Sequence, residues 1–492
     1  MTITPEQFAQ MSLEQAKSGL DKGEFTPGEL LEASLVRMDA FEPVVNAVIT
    51  RDDAAARKAA AAPRDGAKPL AGVPIALKDC IMTRGLRSPC GSRILDAFVP
   101  PHNATVVEKI LAAGGYPGAK TNMDEFAMGA SGETSAFGPT RNPWNASRVP
   151  GGSSSGSAAL VAYGGALAAL GSDTGGSIRQ PASFCGLVGM KPTYGRVSRN
   201  GVGPLASSLD QVGPLTRTIR DNALLLDVIA GHDPLDSTSA ARADTAAPCL
   251  PGIEDGVKGL RIGYDPAILD REGISPIMAG AVRRALDICR DNGAEIMEVA
   301  IPYVEYGVAA YYIINFCEGS TNLTRFDGVR YGTRRGDGEL WDVYCETRGQ
   351  GFGDEVKRRI MMGSYALSQG YYDAYYLKAA RVRRLFAQKM TTLFSDVDAI
   401  LMPVTPQPPR ELGAPSDVLG AYLGDIFTLP ANLTSLPALA FPVGVFEGLP
   451  AGVQVMGAPF SENILYRVGR VAENNTAMPG APWTQARPEA AK

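Results

Sequence analysis

The sequence predicts a layered α/β fold in a single unit that spans residues 1–492. Apolar, strand-like runs alternate with helical patterns along most of the chain, as an α/β architecture requires. We find no segment with the composition of a linker between two domains. The 55 glycines in 492 residues exceed the average share of about 7%, which indicates many tight loops and suits a site built from loops.

The N-terminal part of the chain shows this alternation. A helix begins at Thr26-Pro27-Gly28-Glu29, because a capping threonine is followed by a proline at the first helical position and by a glutamate three residues after the cap. The apolar pattern then predicts a strand over 44–49, a helix over 52–62, a buried strand over 70–77 and a helix over 106–113. Lys78 therefore stands at the end of a buried strand.

The rest of the chain continues the pattern. Residues 194–198 and 213–216 are predicted as loops. The further predicted elements are a helix over 220–230, a strand over 259–264, a helix over 279–292, strands over 397–402, 438–441 and 452–456, and a last helix capped by Ser461. We expect the tail, at about residues 475–492, to be loosely ordered.

Two glycine- and serine-rich stretches, residues 151–157 and 171–179, are the strongest candidates for a site. Between them, small and apolar residues fit a short buried helix, a stop at Gly164-Gly165 and a short buried strand over 166–170. The two stretches should therefore meet in space. A stretch of this composition is more often a plain linker, but the flanking helix and strand argue against that here.

Ser177 is the candidate nucleophile in the second stretch. Gly175 and Gly176 leave the backbone unobstructed before its hydroxyl, so successive N–H groups can converge on one point as an oxyanion site. A serine needs a base to take its proton, and the usual base is a histidine. The two histidines, His102 and His232, both lie in turn-like surroundings that favour solvated side chains.

Lys78 is the next candidate for the base. Burial at the end of its strand would lower the pKa of the ammonium group and make the amine a usable proton acceptor. A lysine at the end of a strand is more often simply solvated. On the residues alone, both interpretations stay open.

The first glycine- and serine-rich stretch also allows two other interpretations, a different nucleophile and a nucleotide-binding loop. Residues 152–156 match Gly-x-Ser-x-Gly, the nucleophile elbow of another hydrolase fold, with Ser154 in the centre and His232 as the only downstream histidine. No Lys-Ser or Lys-Thr follows these glycines, so the stretch is not a phosphate loop and a nucleotide site here is not expected.

Residues 151–159 and 171–186 resemble the signature of the amidase family. The resemblance implies a single large α/β domain with a twisted mixed sheet covered by helices. It also implies a Ser-cisSer-Lys catalytic set. Lys78, Ser153 and Ser177 match that set, in which Ser153 follows a cis peptide bond and relays the proton, and the backbone N–H groups of Thr174 to Ser177, which include those of Gly175 and Gly176, form the oxyanion hole. Cys80 stands where an asparagine is usual and Ser155 where a glycine is usual, and neither change removes a catalytic group.

Three further stretches, residues 120–129, 135–144 and 149–152, resemble the branch of that family that serves tRNA-dependent amidotransferases, and the resemblance extends over about residues 13–471. It implies that glutamine is hydrolysed through an acyl-enzyme and that ammonia is the useful product. It implies that a B subunit uses ATP and Mg²⁺ to amidate Glu-tRNA(Gln) or Asp-tRNA(Asn), that a small C subunit completes a heterotrimer, and that this chain needs no cofactor or metal of its own.

The same resemblance suggests how the other end of glutamine is held. Arg359 would bind the α-carboxylate and Asp425 the α-ammonium group, while Tyr311 closes the pocket. The adjacent Arg358 and Tyr312 are the alternatives for two of these roles. Asp425 could instead only cap a turn.

Composition bounds the partners and the compartment. The chain has a net charge of −5, a pI near 5.4 and no long basic run, which argues against binding of nucleic acid by this chain alone. Any tRNA contact should therefore belong mainly to a partner. Seven scattered cysteines without a Cys-x-x-Cys pair argue against a disulfide frame or a zinc site and favour a reducing cytoplasm. No signal peptide or membrane span is expected.

Two other functions stay open on the sequence. One is a free-standing amidase that acts on small amides by the same chemistry. The other is a catalytically dead scaffold protein, which the complete set of Ser177, Ser153 and Lys78 argues against. Glutamine hydrolysis assayed with and without a B subunit discriminates between the three.

Overall fold

One mixed sheet runs through the protein in the computed structural model, which describes residues 3–241, 247–415 and 418–480. Within those residues the sheet has 11 strands. They are β1 (Val48–Thr50), β2 (Pro74–Lys78), β3 (Tyr116–Thr121), β4 (Ala168–Asp173), β5 (Val188–Lys191), β6 (Gln211–Thr216), β7 (Arg261–Tyr264), β8 (Glu295–Glu298), β9 (Ala399–Pro403), β10 (Ala438–Phe446) and β11 (Leu449–Gly457).

The strands follow the order β1-β3-β2-β4-β6-β5-β10-β11-β9-β7-β8 across the sheet. The pairs β2–β3, β2–β4, β7–β8 and β7–β9 are parallel. The other pairs are antiparallel. This arrangement confirms the predicted α/β fold with a mixed sheet.

Helices cover the sheet. The α-helices in the described part of the chain are α1 (Pro5–Gln10), α2 (Leu13–Lys22), α3 (Pro27–Val45), α4 (Asp53–Ala60), α5 (Thr105–Ala112), α6 (Ser155–Ala162), α7 (Arg179–Cys185), α8 (Ile219–Ile229), α9 (Pro266–Leu269), α10 (Pro276–Asp291), α11 (Val304–Asn322), α12 (Leu340–Gly351), α13 (Asp354–Leu367), α14 (Lys378–Leu393), α15 (Val418–Leu423), α16 (Leu429–Leu433) and α17 (Glu462–Asn474).

The core occupies both faces of the sheet, because alternate residues of its central strands enter different apolar clusters. In β2, Ile75 and Leu77 join the larger cluster, whereas Ala76 joins a second cluster that contains α6. Side chains alternate between the two faces of a strand, so Lys78 extends towards the same face as Ala76. The local sequence of β2 therefore aims the lysine at the α6 side of the sheet.

The predicted start of α3 is confirmed in detail, but the strand predicted after it is not. The Thr26 hydroxyl accepts a hydrogen bond from the Glu29 N–H (3.2 Å), and the Glu29 carboxylate accepts one from the Thr26 N–H (2.8 Å). The strand predicted over 44–49 is wrong in its first half, since α3 continues to Val45 and β1 begins only at Val48. Asn46 ends the helix with a left-handed backbone (φ 54°), a common helix stop.

The loop predicted over 213–216 is wrong. These residues belong to β6, which pairs with β4 along its whole length. Pro214 misled the prediction, because proline cannot donate to a strand ladder. β6 pairs with β5 only through Leu215 and Thr216. At Pro214 the strand is thus paired with β4 but not with β5, an edge-like setting in which a sheet accepts proline.

The other predicted helices and strands are present with shifted ends, whereas β3, β5 and β8 were not predicted. Ser461 does precede α17, but its hydroxyl donates to the Ala458 carbonyl (2.7 Å) and does not cap the helix. Most of the tail predicted to be loosely ordered, residues 481–492, lies outside the described residues. Among the helices that the structure describes, none is long and apolar enough to cross a membrane.

Candidate active site

The carboxyl ends of β2 and β4 form the base of the site. These strands are parallel neighbours, with Leu77 beside Leu170, so they end at the same edge of the sheet. That edge is where open α/β sheets place their ligands. Lys78 is the last residue of β2, and Ser172 is the second-last residue of β4.

Lys78 is fully buried and surrounded by oxygen atoms. Its Nζ lies 2.8 Å from Ser153 Oγ, 2.9 Å from Ser172 Oγ and 3.4 Å from the Ser172 carbonyl oxygen. Burial lowers the pKa of the Lys78 ammonium group, and the nearby Cys80 thiol and buried carboxyl groups offset this only in part. The alternative of a solvated lysine is therefore wrong, and a neutral amine beside Ser153 is the form that a base requires.

Ser153 sits in the loop that leads into α6, and the peptide bond between Gly152 and Ser153 is cis, as the family resemblance implies. Gly152 packs so closely on Asp124 that a Cβ at residue 152 would lie 2.0 Å from the carboxylate. The Asp124 carboxylate accepts hydrogen bonds from the Gly132 N–H (3.0 Å) and the Thr134 hydroxyl (2.9 Å). Asp124 thus fixes the surface on which the loop that carries Ser153 packs.

Ser177 lies between β4 and α7 and is 8% exposed. Its carbonyl oxygen accepts a hydrogen bond from the Ser154 N–H (3.1 Å), which brings the two serine loops together as predicted. No hydrogen bond joins the hydroxyls of Ser153 and Ser177 in the described residues. Catalytic hydrogen bonds in unliganded enzymes are often long and tighten when substrate binds.

Asp173 holds the loop that carries Ser177. Its carboxylate accepts hydrogen bonds from the N–H groups of Gly176 (2.9 Å) and Ile178 (3.2 Å) and forms a buried ion pair with Arg179 (3.1 Å). Burial alone would raise the pKa of Asp173, but the Arg179 guanidinium more than offsets it, and the pKa is lowered. The carboxylate stays charged and fixes the backbone on both sides of Ser177.

The same contact limits which backbone groups can bind an oxyanion. The Gly176 N–H is directed at Asp173, whereas the N–H groups of Thr174, Gly175 and Ser177 have no acceptor among the residues that the structure describes. Gly176 adopts φ 125°, a conformation that favours glycine. Three of the four predicted N–H groups thus remain available to a ligand.

The residues predicted to bind substrate lie in the same small cavity as Ser177, although α11, α13 and the turn after α15 supply them. Tyr311 comes from α11, Arg359 from α13 and Asp425 from the turn. The cavity is lined by Ala127, Gly129, Ala130, Gly152, Gly175, Gly176, Ser177, Tyr311, Tyr312, Arg359 and Asp425. Gly129, Ala130, Tyr312 and Arg359 also line a neighbouring cleft of about 530 Å³, so the two spaces share one wall.

Two neighbouring arginines differ sharply in their setting. The Arg359 side chain is 6% exposed, and its Nε donates to Glu355 (2.7 Å). Its Nη1 donates to Asn315 Oδ1 (3.2 Å), while its Nη2 has no acceptor in the described part of the chain. Arg358 is 42% exposed and contacts the other oxygen of Glu355. The geometry favours Arg359 over Arg358 as the group with a donor free inside the cavity.

Asp425 lines the same cavity as Arg359. The Tyr312 hydroxyl donates to Asp425 Oδ2 (2.6 Å), so Tyr312 orients the carboxylate while Tyr311 borders the cavity next to Gly175. Burial raises the pKa of Asp425 to about 7, although the Tyr312 hydrogen bond and the Arg359 charge oppose the shift. Opposite charges thus stand within one cavity, and Asp425 is not merely the cap of a turn.

The elbow mechanism centred on Ser154 does not fit this geometry. The Ser154 hydroxyl is fully buried, donates to the Ser172 carbonyl (3.1 Å) and accepts from the Ser172 N–H (3.3 Å). His232 and His102 are exposed at the surface. A hydroxyl saturated by β4 backbone cannot approach a substrate carbonyl.

The two departures from the family pattern have identifiable contacts. The Cys80 thiol lies 3.8 Å from Ser172 Oγ, which itself contacts Lys78 Nζ. Ser155 is the first residue of α6, and its hydroxyl donates to Thr140 Oγ1 (3.3 Å). Neither side chain displaces Lys78, Ser153 or Ser177.

Three residues of the site were not predicted. Ser172 binds Lys78 directly, and it lies inside the second glycine- and serine-rich stretch, where its position one residue before Asp173 gave no separate signal. Glu355 precedes Arg359 by four residues, a spacing that places both side chains on one face of a helix and could have indicated the ion pair. Asn315 follows Tyr311 by the same spacing.

No group of three or more His, Cys, Asp or Glu side chains is placed to hold a metal ion within residues 3–241, 247–415 and 418–480.

Comparison with known proteins gives consistent matches. The model of the Amidase family matches residues 29–466. The A subunit of the glutamyl-tRNA(Gln) amidotransferase of Geobacter metallireducens is 50% identical over 476 residues, which cover 95% of this chain and 97% of the relative. The protein of the same name from a Roseiflexus species is 49% identical over 484 residues, with coverages of 96% and 99%.

Solved structures match over nearly the full length as well. The A subunit of the glutamyl-tRNA(Gln) amidotransferase of Thermotoga maritima is 41% identical with a TM-score of 0.81, and the match covers 95% of each chain. The native peptide amidase of Stenotrophomonas maltophilia is 29% identical with a TM-score of 0.81, and the match covers 97% of this chain and all of the other.

Proposed function

The chain belongs to the amidase family, and we propose that it hydrolyses glutamine as the glutaminase component of a tRNA-dependent amidotransferase. One observation favours glutamine as the substrate. A buried arginine with a free donor, Arg359, and a buried carboxylate, Asp425, line the same cavity as Ser177. A simple amide needs neither charge, whereas an amino acid presents the complementary ammonium and carboxylate groups. The relatives that bear the amidotransferase name support the assignment.

We assign the binding groups as follows. Arg359 Nη2 binds the α-carboxylate, since Nε and Nη1 are already held by Glu355 and Asn315. Asp425 Oδ1 binds the α-ammonium group, since Oδ2 accepts from Tyr312. Tyr311 closes the pocket beside Gly175. Because each group is preset by a protein contact, little side-chain freedom is lost on binding.

The first half of the reaction forms an acyl-enzyme. Ser177 Oγ attacks the side-chain amide carbon, and the C=O electron pair moves onto the oxygen, which the free N–H groups of Thr174, Gly175 and Ser177 stabilise. The Ser177 proton passes to Ser153 Oγ, and the Ser153 proton passes to Lys78 Nζ, 2.8 Å away. The C–N bond then breaks, and the departing nitrogen takes a proton back along the same path and leaves as ammonia.

The second half regenerates the enzyme. Water attacks the acyl carbon, gives its proton to the relay, and glutamate leaves as the Ser177 oxygen is reprotonated. Burial of Lys78 keeps its neutral form accessible in both halves, because the charged form loses its hydration. The cavity supplies the positioning, and the relay supplies the proton transfers.

The ammonia is the product that the larger reaction uses. We assign its consumption to a B subunit that amidates Glu-tRNA(Gln) or Asp-tRNA(Asn) with ATP and Mg²⁺, in a cytoplasmic heterotrimer completed by a small C subunit. This chain carries a net charge of −5, so tRNA contacts fall mainly to the partner.

Glutamine hydrolysis by the purified chain, alone and with the B and C subunits, tests the proposal. We expect glutamine to be hydrolysed in preference to asparagine and to simple amides, and we expect the ammonia to appear in amidated tRNA when the partners are present. Equal rates with glutamine and a simple amide would point to a free-standing amidase. No hydrolysis under either condition would point to a scaffold.

The charged pair should set the affinity for glutamine. Arg359→Ala and Asp425→Ala are each expected to raise the KM for glutamine by more than roughly tenfold, because a lost buried charge-assisted contact costs on the order of 2–5 kcal/mol. Initial rates over a range of glutamine concentrations measure this. Arg358→Ala is the matched control, since its exposed side chain should leave KM within about threefold. An unchanged KM for Arg359→Ala or Asp425→Ala would remove that residue from the binding site.

The raised pKa of Asp425 predicts a pH dependence. Only the ionised carboxylate pairs with the ammonium group, so kcat/KM for glutamine should fall as the pH drops through about 7, the pKa of Asp425. Tyr312 stabilises the ionised form through its hydrogen bond. Tyr312→Phe should therefore raise that pKa and move the fall in kcat/KM to higher pH.

Profiles of kcat and kcat/KM against pH distinguish this effect from titration of Lys78, which also affects the chemical step and hence kcat. A fall that stays in place in Tyr312→Phe would assign it to another group.

A further inference from the structure

Asn315 joins two of the side chains that we assign to glutamine, although it does not line the cavity itself. It lies one helical turn after Tyr311 on α11 and is fully buried. Its Oδ1 is 3.2 Å from Arg359 Nη1, and its Nδ2 is 3.3 Å from the Tyr311 hydroxyl oxygen. One amide therefore bridges α11 and α13 at the back of the binding site.

The chemistry of the partners fixes the direction of both hydrogen bonds. A guanidinium group has only donors, so the atom that faces Arg359 must be the amide oxygen of Asn315. The amide nitrogen then faces Tyr311, and the Tyr311 oxygen accepts from it. Since the phenol oxygen is already an acceptor in this contact, its own proton stays free for a second partner.

Tyr311 keeps that proton under all ordinary conditions. Burial raises the pKa of the Tyr311 phenol, and the nearby Asp425 carboxylate raises it further. The hydroxyl lies so close to Gly175 that a Cβ at residue 175 would be 2.4 Å from its oxygen. The free O–H donor therefore lies beside Gly175 of the oxyanion loop, is linked to Arg359 through Asn315, and borders the cavity that holds Ser177.

We propose that Asn315 is a positioning residue that makes Tyr311 a hydrogen-bond donor to the α-carboxylate of the substrate and holds Arg359 towards the same group. The inference rests on the proposed use of glutamine. It explains why a neutral amide, with one donor and one acceptor face, suits this position. A carboxylate at residue 315 would accept hydrogen bonds from both Tyr311 and Arg359. The Tyr311 O–H would then no longer be available to the substrate, and the carboxylate would compete with the substrate for Arg359.

The surrounding charges make this competition severe. Glu355 already pairs with Arg359 at 2.7 Å, and Asp425 lies in the same cavity. A second carboxylate on Arg359 would leave the guanidinium with less attraction for a substrate carboxylate. Asn315→Asp is nearly isosteric, so it tests the direction of the hydrogen bonds with little change in packing.

We expect Asn315→Asp to raise the KM for glutamine by more than about tenfold and to leave kcat within about threefold, because the hydroxyl relay and oxyanion loop are untouched. Tyr311→Phe should also raise KM. If Asn315 acts through Tyr311, the double variant should bind glutamine little worse than Asn315→Asp alone, since the two changes remove one interaction. Asn322→Asp, at the end of the same helix, is the matched control and should leave KM unchanged.

The outcomes separate this inference from the proposed function. Wild-type chain that does not hydrolyse glutamine, either alone or with the B and C subunits, contradicts the proposed function itself. If the wild type is active and the KM of Asn315→Asp is unchanged, only the role of Asn315 is overturned. The same holds if kcat falls in Asn315→Asp without a rise in KM. It also holds if the increases in KM caused by Asn315→Asp and Tyr311→Phe simply multiply in the double variant. Should Asn315→Asp not fold, Asn315→Leu carries the test: it removes both contacts without adding charge, and an unchanged KM there overturns the inference.

Discussion

A Ser177→Ala variant is expected to lose glutamine hydrolysis by on the order of 10⁵–10⁶-fold, the scale of loss seen when a catalytic serine is removed from another hydrolase. The physical reason is that Ser177 supplies the attacking oxygen and that the rival candidate, Ser154, cannot replace it. The neighbouring Ser154 hydroxyl is buried and fully bonded to the backbone of Ser172. Steady-state assays of released ammonia or glutamate measure the loss.

The same variant should keep its fold and its assembly. The Ser177 hydroxyl has no hydrogen-bond partner among the described residues, and its backbone is held by Asp173 and Ser154. In the reconstituted complex, amidation from free ammonia should therefore continue, because only the donor half of the reaction uses this hydroxyl. Loss of the ammonia-dependent activity would show that Ser177 is not confined to glutamine hydrolysis. Ser154→Ala should lose far less activity than Ser177→Ala.

Replacement of Lys78 is expected to give the second-largest effect. Lys78→Met keeps most of the buried volume but removes the proton acceptor, so glutamine hydrolysis should fall by about 10³–10⁴-fold, near the upper part of the range for general acid–base groups. Ser153→Ala should cost a similar amount, because it breaks the 2.8 Å contact through which the proton reaches Lys78. Single-turnover and steady-state rates for the two single variants measure the loss.

The double variant Lys78→Met with Ser153→Ala gives the sharper test. Residues that act as one relay are non-additive, so it should lose little more than either single variant. Lys191→Met is a matched control: Lys191 is also fully buried, with a pKa lowered to about 7, but it donates to Gln211 and the Pro192 carbonyl rather than to a serine of the site. His232→Ala should have no effect. A loss in His232→Ala as large as that in Lys78→Met, with the fold intact, would contradict the lysine mechanism.

Much of the fold and the centre of the site could be predicted because their signals are local in sequence. The capping box at Thr26, the buried strand before Lys78 and the two glycine- and serine-rich stretches each lie within a few residues, and all appear in the structure. The alternation of helices and strands indicated the layered fold in the same way. The resemblance to the amidase family then selected a lysine over a histidine, which the residues alone had left open.

The parts that could not be predicted depend on contacts between distant segments. Pro214 argues locally against a strand, yet β6 forms because β4 pairs with it along its full length. Asn315 belongs to the site only because α11 packs against α13, which brings it to Arg359, 44 positions later in the chain. Ser172 contacts Lys78 because the parallel strands β2 and β4 end side by side. Such contacts arise from the three-dimensional packing and leave no pattern in either segment alone.

The central claim is that Ser177 carries the acyl group of glutamine, and covalent trapping tests it most directly. The wild-type chain would be incubated with a glutamine analogue whose acyl-enzyme is hydrolysed slowly, digested, and analysed by mass spectrometry for the modified residue. We expect the added mass on Ser177, a marked loss of labelling when excess glutamine competes, and no labelling in Ser177→Ala. Label on Ser154 of the wild-type chain would contradict the account. So would a Ser177→Ala variant that is labelled at some other residue to the same extent as the wild type.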